Sequence, residues 1–460
     1  MQFHYVKSVI DGAKLYKNLM QDANMKLKER KIPGPKSEKL LNESKTFEPK
    51  SMSDQVPVVW DHADGVWITD VDGNIFLDFT SGVLVTNIGH SHPKHVKAVE
   101  EQAKRLMNCY SFPTPERVEL SGKLVEVLPG NIDKVFLLTT GAEATEAAIR
   151  ISKRYSGKHE VLSFAGAFHG RTYGPMSVAG SINTRRKFGP ALPGGIIVPY
   201  GNCYRCAYDK KFPECDYYCI KVMDRLIESC SSGDLGTVIA EPYQGTAGFV
   251  FPPKGWLKEL EKWAADRGLI LIIDEVQSSF GRTGKLFAVE WEDIKPQMIC
   301  LGKGLGSGIP TSAVGGEKKI FDCMSPGEMS STTGGNPLSS AAALSVLEIM
   351  KEENLPEHAR TVGEYLLSRL NELWKKYEFV GDVRGMGLVI GIEIVKDKKG
   401  KVPVADICKK IISRCAEFGL MLGRVGMYGN VIRVAPPLII KNEECDMAIE
   451  ILDKAMSEIN

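Results

Sequence analysis

The chain has 460 residues, 43% hydrophobic and 25% charged, the balance of a globular protein with a large core rather than a disordered chain. Lys plus Arg total 58 against 57 Asp plus Glu, so a net charge of +1 offers no general field for nucleic acid or an anionic membrane. No stretch approaches the roughly 20 apolar residues of a membrane span, and the 11 cysteines, an odd number with several in apolar runs such as MICLG around Cys300, suit reduced buried thiols better than a secreted disulfide framework.

Taken in chain order, the first twenty residues are interrupted by Lys7, Asp11, Lys14 and Lys17 and lack the apolar core of a secretory signal, which predicts a cytoplasmic protein. Residues 1–90, with IPGPK near Pro33 and the turn-rich DVDGN near Asp72, are expected to form helix and hairpin packed on a smaller domain. From about residue 135, short apolar runs alternate with helical patterns: 135–138, 161–164, 196–199, 238–240, 269–273 and 298–301. That rhythm predicts an α/β domain over 91–340, a mostly parallel sheet with crossover helices. Beyond 340, the helical AAALSVLEIMKEE and the strand-like LVIGIEIV and VIRVAP predict a small α+β domain over 341–460.

The run LILIIDE ends in Asp274 and Glu275, at the carboxyl end of a presumed parallel strand, where open sheets gather ligands. Lys303 stands 29 residues further on, in GKGLGSGIP directly after an apolar strand; burial there would lower its pKa and free the amine for imine formation. A lysine beside glycines is by itself an ordinary loop residue, and this loop lacks Walker spacing. Asp274 is placed as a carboxylate partner for a pyridinium nitrogen, with Gln277 able to donate to a phenolic oxygen. In TTGAEATEAAIR, the amides of Gly141 and Ala142 open a helix and would meet an anion. In AFHGRTYG, Phe168 can stack on a flat ring, His169 can pack beside it and Arg171 can reach a carboxylate; Arg433, in VIRVAPPL, is a second fork of that kind.

The ordered set GHSHP, TTGAEATEAAIR, FHGRT, EPYQG, DEVQ, FGRTG, GKGLGSGIP, TTGGNPL and IRVAPPL resembles the class III, or omega, aminotransferases, which include the 4-aminobutyrate and ornithine enzymes. The resemblance spans about residues 56–455. It implies a fold-type I pyridoxal 5′-phosphate enzyme with a seven-stranded-type sheet, and a ping-pong transfer from an amino acid or ω-amino acid to a 2-oxo acid such as 2-oxoglutarate or pyruvate. It makes Lys303 the Schiff-base lysine and proton shuttle, Asp274 the pyridinium partner and Phe168 the stacking ring, with His169 and Gln277 beside the cofactor. Gly141 and Ala142 would bind the phosphate, joined by Thr332 from the other subunit of a homodimer or dimer of dimers. Val83, Arg171, Glu241 and Arg433 would bind substrate. Arg433 would take an α-carboxylate, and Glu241 would pair with it when an ω-amine is admitted.

Three departures stand out: Ser331 where many relatives carry His, Thr246 where an acidic residue is frequent, and the insertion CYRCAYDKKFPECDYYC. The insertion's Cys203, Cys206, Cys215 and Cys219 have spacing that would suit four thiolate ligands of zinc or an iron–sulfur cluster, against the plainer reading of reduced thiols or a local disulfide. Racemases and epimerases share the resemblance; they need a proton donor opposite Lys303, for which Thr246 is poor. A nicotinamide oxidoreductase is disfavoured because no Gly-x-Gly-x-x-Gly follows the first strand. A silent scaffold is disfavoured by the intact Lys303, Asp274 and Arg433.

Overall fold

The computed structural model describes residues 29–52 and 55–459, so the reading of the first twenty residues as lacking a secretory signal lies outside the described residues. Three sheets organise it. The first joins β1 (Trp60–Asp64), β2 (Trp67–Asp70) and β3 (Ile75–Asp78) to β13 (Leu420–Met421), 342 residues beyond β3 at the Asp78–Leu420 interval. The DVDGN turn closes the β2–β3 hairpin: Asp70 accepts the N–H groups of Asp72 and Asn74, and Gly73 takes φ +85°. Because β13 runs parallel to β3, N-terminal residues and a C-terminal strand share one sheet.

The central sheet holds β4 (Lys134–Leu138), β5 (Glu160–Phe164), β6 (Gly195–Val198), β7 (Leu235–Ala240), β8 (Ile270–Asp274), β9 (Met298–Leu301) and β10 (Ser312–Gly316), in the order β4-β10-β9-β8-β7-β5-β6. All six strands expected from the apolar runs are present within a residue or a few. The seventh, β10, carries no such signal: its sequence is SAVGG, and it lies antiparallel between β4 and β9. The glycines are forced by packing, since a Cβ on Gly316 would fall 2.1 Å from the Phe321 ring and one on Gly315 2.9 Å from Ile132. Central strands are buried on both faces, as ILIID of β8 is throughout, because helices cover both sides.

The third sheet is antiparallel, ordered β11-β12-β15-β14, from β11 (Val380–Met386), β12 (Val389–Ile394), β14 (Gly423–Val425) and β15 (Val431–Val434). The helical stretch expected after 340 spans Pro337–Glu352, capped by the Asn336 side chain on the Ser339 N–H, and is followed by a helix over Leu355–Lys376.

Candidate active site

The parallel strands of the central sheet deliver their carboxyl ends to one cavity of about 330 Å³. β4 leads into the helix Gly141–Ser156, β5 into the loop with Phe168 and His169, β7 into Glu241, β8 ends on Asp274, and β9 leads to Lys303. Topology therefore gathers residues scattered over more than 160 positions. A larger groove of about 740 Å³ runs beside β4, but its charged residues are Asp133, Lys134 and Asp322, and the last two pair with each other. It offers no comparable convergence of chemistry.

At the cavity floor Asp274 is buried, and its Oδ2 lies 2.7 Å from His169 Nδ1. Its other oxygen accepts the Val276 N–H at 3.0 Å. His169 is thus tied to the carboxylate, a closer role than packing beside Phe168. Burial by itself would lower the His169 pKa; the bond to Asp274, together with the charges of Asp274 and Glu241, outweighs it and raises the pKa. Lys303 opens a short 3₁₀ turn with φ +43°, a left-handed conformation uncommon for a side-chain-bearing residue and frequent at functional sites. Removal from water lowers the pKa of its amine and Arg433 lowers it further, against the opposing charges of Asp274 and Glu241.

Glu241 is buried, and both its oxygens are engaged by backbone: Oε1 accepts the Phe168 N–H at 2.9 Å and Oε2 the Gly245 N–H at 3.1 Å. Desolvation pushes its carboxyl up to about 7. The Gly141–Ser156 helix begins with a capping box, Thr140 accepting the Glu143 N–H while Glu143 accepts the Thr140 N–H, so the amides at Gly141 and Ala142 are left for the cavity they line. Gly141 cannot carry a side chain, because a Cβ would sit 2.6 Å from Val276. Arg171 lies over the Phe168 ring at 5.8 Å and lines the mouth.

These features fit pyridoxal phosphate. The Oε1 of Gln277 is buried with no hydrogen-bond partner, the Lys303 amine is desolvated, a carboxylate waits at a strand end, and a helix N-terminus opens on the same space.

Nine of the expected residues, Gly141, Ala142, Phe168, His169, Arg171, Glu241, Asp274, Gln277 and Lys303, line the cavity; Val83, Thr332 and Arg433 do not. Thr332 is exposed. Val83 is 43% exposed in a turn over Ser81–Leu84, whose Leu84 packs with the cavity-lining Tyr243. Arg433 is buried on β15 between two glycines, Gly391 of β12 and Gly423 of β14, and a Cβ on Gly423 would lie 2.3 Å from its Nη2. Among the described residues no hydrogen bond or ion pair reaches its guanidinium. Desolvation lowers its pKa to about 10. No Glu241–Arg433 pair is formed among the described residues; the Glu241 oxygens each accept a backbone amide instead.

The residue reading missed Tyr243 and Ser278, which also line the cavity; both sit inside or beside motifs already noted, EPYQG and DEVQ. All four insertion cysteines are free thiols, and among the described residues no group of three or more His, Cys, Asp or Glu side chains is arranged to hold a metal ion. Cys219 instead accepts the Trp256 indole N–H at 3.3 Å.

This fold and this site define a pyridoxal-phosphate-dependent transaminase architecture. The chain belongs to the class-III aminotransferase family, whose model matches residues 50–456. It is 40% identical to an alanine/serine racemase of Pyrococcus horikoshii over 93% of this chain and 92% of that protein. It is 34% identical to an acetylornithine aminotransferase of Methanothermobacter thermautotrophicus over 92% and 100% of the two. An aminotransferase structure from Bacillus anthracis superposes with a TM-score of 0.87 at 31% identity, covering 93% of this chain and all of that one.

Proposed function

We propose that this class III aminotransferase takes an α-amino acid as donor and a 2-oxo acid such as 2-oxoglutarate or pyruvate as acceptor, in alternating half-reactions. The observation that carries the substrate class is the Arg433 guanidinium, buried, with no hydrogen bond or ion pair among the described residues and only the charge of Asp78 to offset its desolvation, and near enough to Lys303 to lower its pKa. A buried unpaired cation is costly, and a substrate carboxylate relieves it with charge-assisted bonds. A 4-aminobutyrate-like donor would need Arg433 screened, and Glu241 is otherwise engaged.

Bound in the cavity, pyridoxal phosphate supplies a ring that accepts the electron pair left when a substrate carbon loses its proton. Lys303, with its lowered pKa, takes that proton and returns it to the neighbouring carbon. Asp274, oriented by His169, would hold the ring nitrogen's proton. Gln277 would donate through its Nε2 to the phenolic oxygen, Phe168 would cover the ring, and Gly141 and Ala142 would hold the phosphate through backbone amides. Arg171 receives a second carboxylate. Val83, which does not line the cavity, would meet the substrate from the turn whose Leu84 packs with Tyr243.

The same reading includes a homodimer in which Thr332, exposed in one chain, completes the phosphate site of the other. It places a large cofactor domain over 91–340 and a small domain over 341–460 carrying residues 1–90; the β3–β13 pairing supports that grouping. The free thiols suit a cytoplasmic enzyme, and no helix among the described residues is long and apolar enough to cross a membrane.

Racemisation is the second reading, favoured by the 40% identity to a racemase and by Glu241, whose carboxyl at about 7 is partly protonated at neutral pH inside the cavity. Incubating the holoenzyme with L-alanine, with and without a 2-oxo acid, separates the two. Transamination consumes alanine only in proportion to added acceptor; D-alanine accumulating without acceptor overturns it.

A further inference from the structure

Four consecutive residues, Ser81, Gly82, Val83 and Leu84, have φ between +47° and +69°. Each side-chain-bearing residue in that left-handed region costs about 1–2 kcal/mol, and three of the four bear side chains, so their surroundings must hold them there. The hold is specific. Buried Asp78 accepts the Thr80 N–H and hydroxyl, each at 2.7 Å, and the Ser81 N–H at 3.2 Å, while its other oxygen meets His90. The Ser81 hydroxyl donates to the Ala435 carbonyl at 2.7 Å. Ala435 lies two residues past Arg433, and its own N–H donates back to the Phe79 carbonyl at 2.9 Å.

Arg282, from the FGRTG loop after β8, is fully buried at the centre of this arrangement. Its Nη1 donates to the carbonyls of Leu388 at 2.9 Å and Pro436 at 2.6 Å, and its Nη2 to Asn87 Oδ1 at 2.7 Å and Ser81 Oγ at 3.4 Å. One guanidinium thereby ties a loop of the central sheet to one end of the antiparallel β12–β15 pair that carries Arg433, through Leu388 just ahead of β12 and Pro436 just after β15. On the other side Leu84 packs with Tyr243, part of the cavity wall.

We infer that Arg282 and Ser81 are positioning residues for the substrate carboxylate: together they clamp the left-handed turn and the end of β15, fixing where Arg433 stands relative to Lys303. The inference rests on the reading of Arg433 as the carboxylate site. Arg433 has no bond of its own to locate its guanidinium, so its placement depends on the backbone of β15, and that backbone is held by the clamp. Neither clamp residue touches the cavity, so loss of the clamp acts on carboxylate binding and leaves the cofactor cradle in place.

The test uses the holoenzyme and rapid-mixing spectral titration, in which the concentration dependence of the initial absorbance change of the bound cofactor reads Kd before the half-reaction converts it. Whichever of L-alanine, L-leucine and L-ornithine binds wild type most tightly is compared with its carboxylate-free counterpart: ethylamine, 3-methylbutylamine or 1,4-diaminobutane. Ser81→Ala and Arg282→Met are expected to raise Kd for the amino acid by about fivefold or more and to leave Kd for the amine within about twofold. Their cofactor spectrum is expected to match wild type. Equal effects on both ligands, or none on either, overturn the clamp; where Arg282→Met does not fold, Ser81→Ala decides alone. Arg433→Met separates the two ideas: if it weakens the amino acid and the clamp variants do not, only the clamp falls, whereas an unchanged amino-acid Kd in Arg433→Met removes the carboxylate reading itself.

Discussion

The two carboxylates at the carboxyl edge of the central sheet and the arginine on β15 of the antiparallel sheet are held differently. On the central sheet, Asp274 is bonded to His169 and to a backbone amide, and Glu241 to two backbone amides. On the small sheet Arg433 is buried between glycines with nothing bonded to it. The two carboxylates are hydrogen-bonded before any ligand arrives, which suits a permanent cofactor site; Arg433 has no hydrogen bond or ion pair among the described residues, which suits a ligand that comes and goes. The glycines are part of the device, since Gly423 leaves the room the guanidinium occupies.

The largest expected effect tests the prebuilt side. Lys303→Ala removes the amine that moves the proton, and turnover should fall by at least about 10⁴-fold in steady-state assays; near-native rates would dissolve the distinction between the two sides. Arg433→Met tests the waiting side. Losing a desolvated charge-assisted contact costs about 2–5 kcal/mol, so kcat/KM for an α-amino acid should drop roughly 30- to 5000-fold, mostly through KM. A loss confined to kcat would move Arg433 from binding to chemistry.

A subtler test concerns Glu275, beside Asp274 but fully buried and outside the cavity, where it accepts the Ser278 hydroxyl and the Val289 N–H. Desolvation raises its carboxyl to about 7. The folded protein then binds a proton that the unfolded chain releases near pH 4.5, so this group's contribution is fully present below about 4.5 and is lost as pH rises through about 7, worth roughly 3 kcal/mol. Thermal melts of wild type at pH 5 and pH 8 should differ more than those of Glu275→Gln. Equal pH slopes in the two proteins would show that Glu275 ionises freely. The smallest effect is expected at Val83, where glycine relieves a left-handed β-branched residue: Val83→Gly should raise Tm by about 1–3 °C, less the added freedom of the unfolded chain. A fall in Tm would mean the side chain makes contacts that its 43% exposure does not suggest.

Much of this was legible beforehand. The central apolar strands announced themselves because a strand buried on both faces must be apolar throughout, and Asp274 and Lys303 followed from where such strands end. β10 was not legible: Gly315 and Gly316 are present because Phe321 and Ile132 approach too closely for a side chain, a demand made by distant residues. The four-cysteine spacing suggested a metal site, yet Cys219 is turned to Trp256 and the thiols do not converge on one. Arg282 looked like one letter of a motif, although it bonds across more than 190 positions, to Ser81 and Asn87.

By itself the sequence determined the class of fold, the family, the cofactor it requires and nine of the residues that line the cavity, because each is written in local runs whose strand ends and helix starts carry the chemistry. Only the tertiary structure decided that Glu241 is committed to backbone amides, that Arg433 stands unpartnered, and that a left-handed turn and a buried arginine hold its strand. Pairing between charges depends on which atoms reach one another across sheets, and spacing along a chain does not encode that distance.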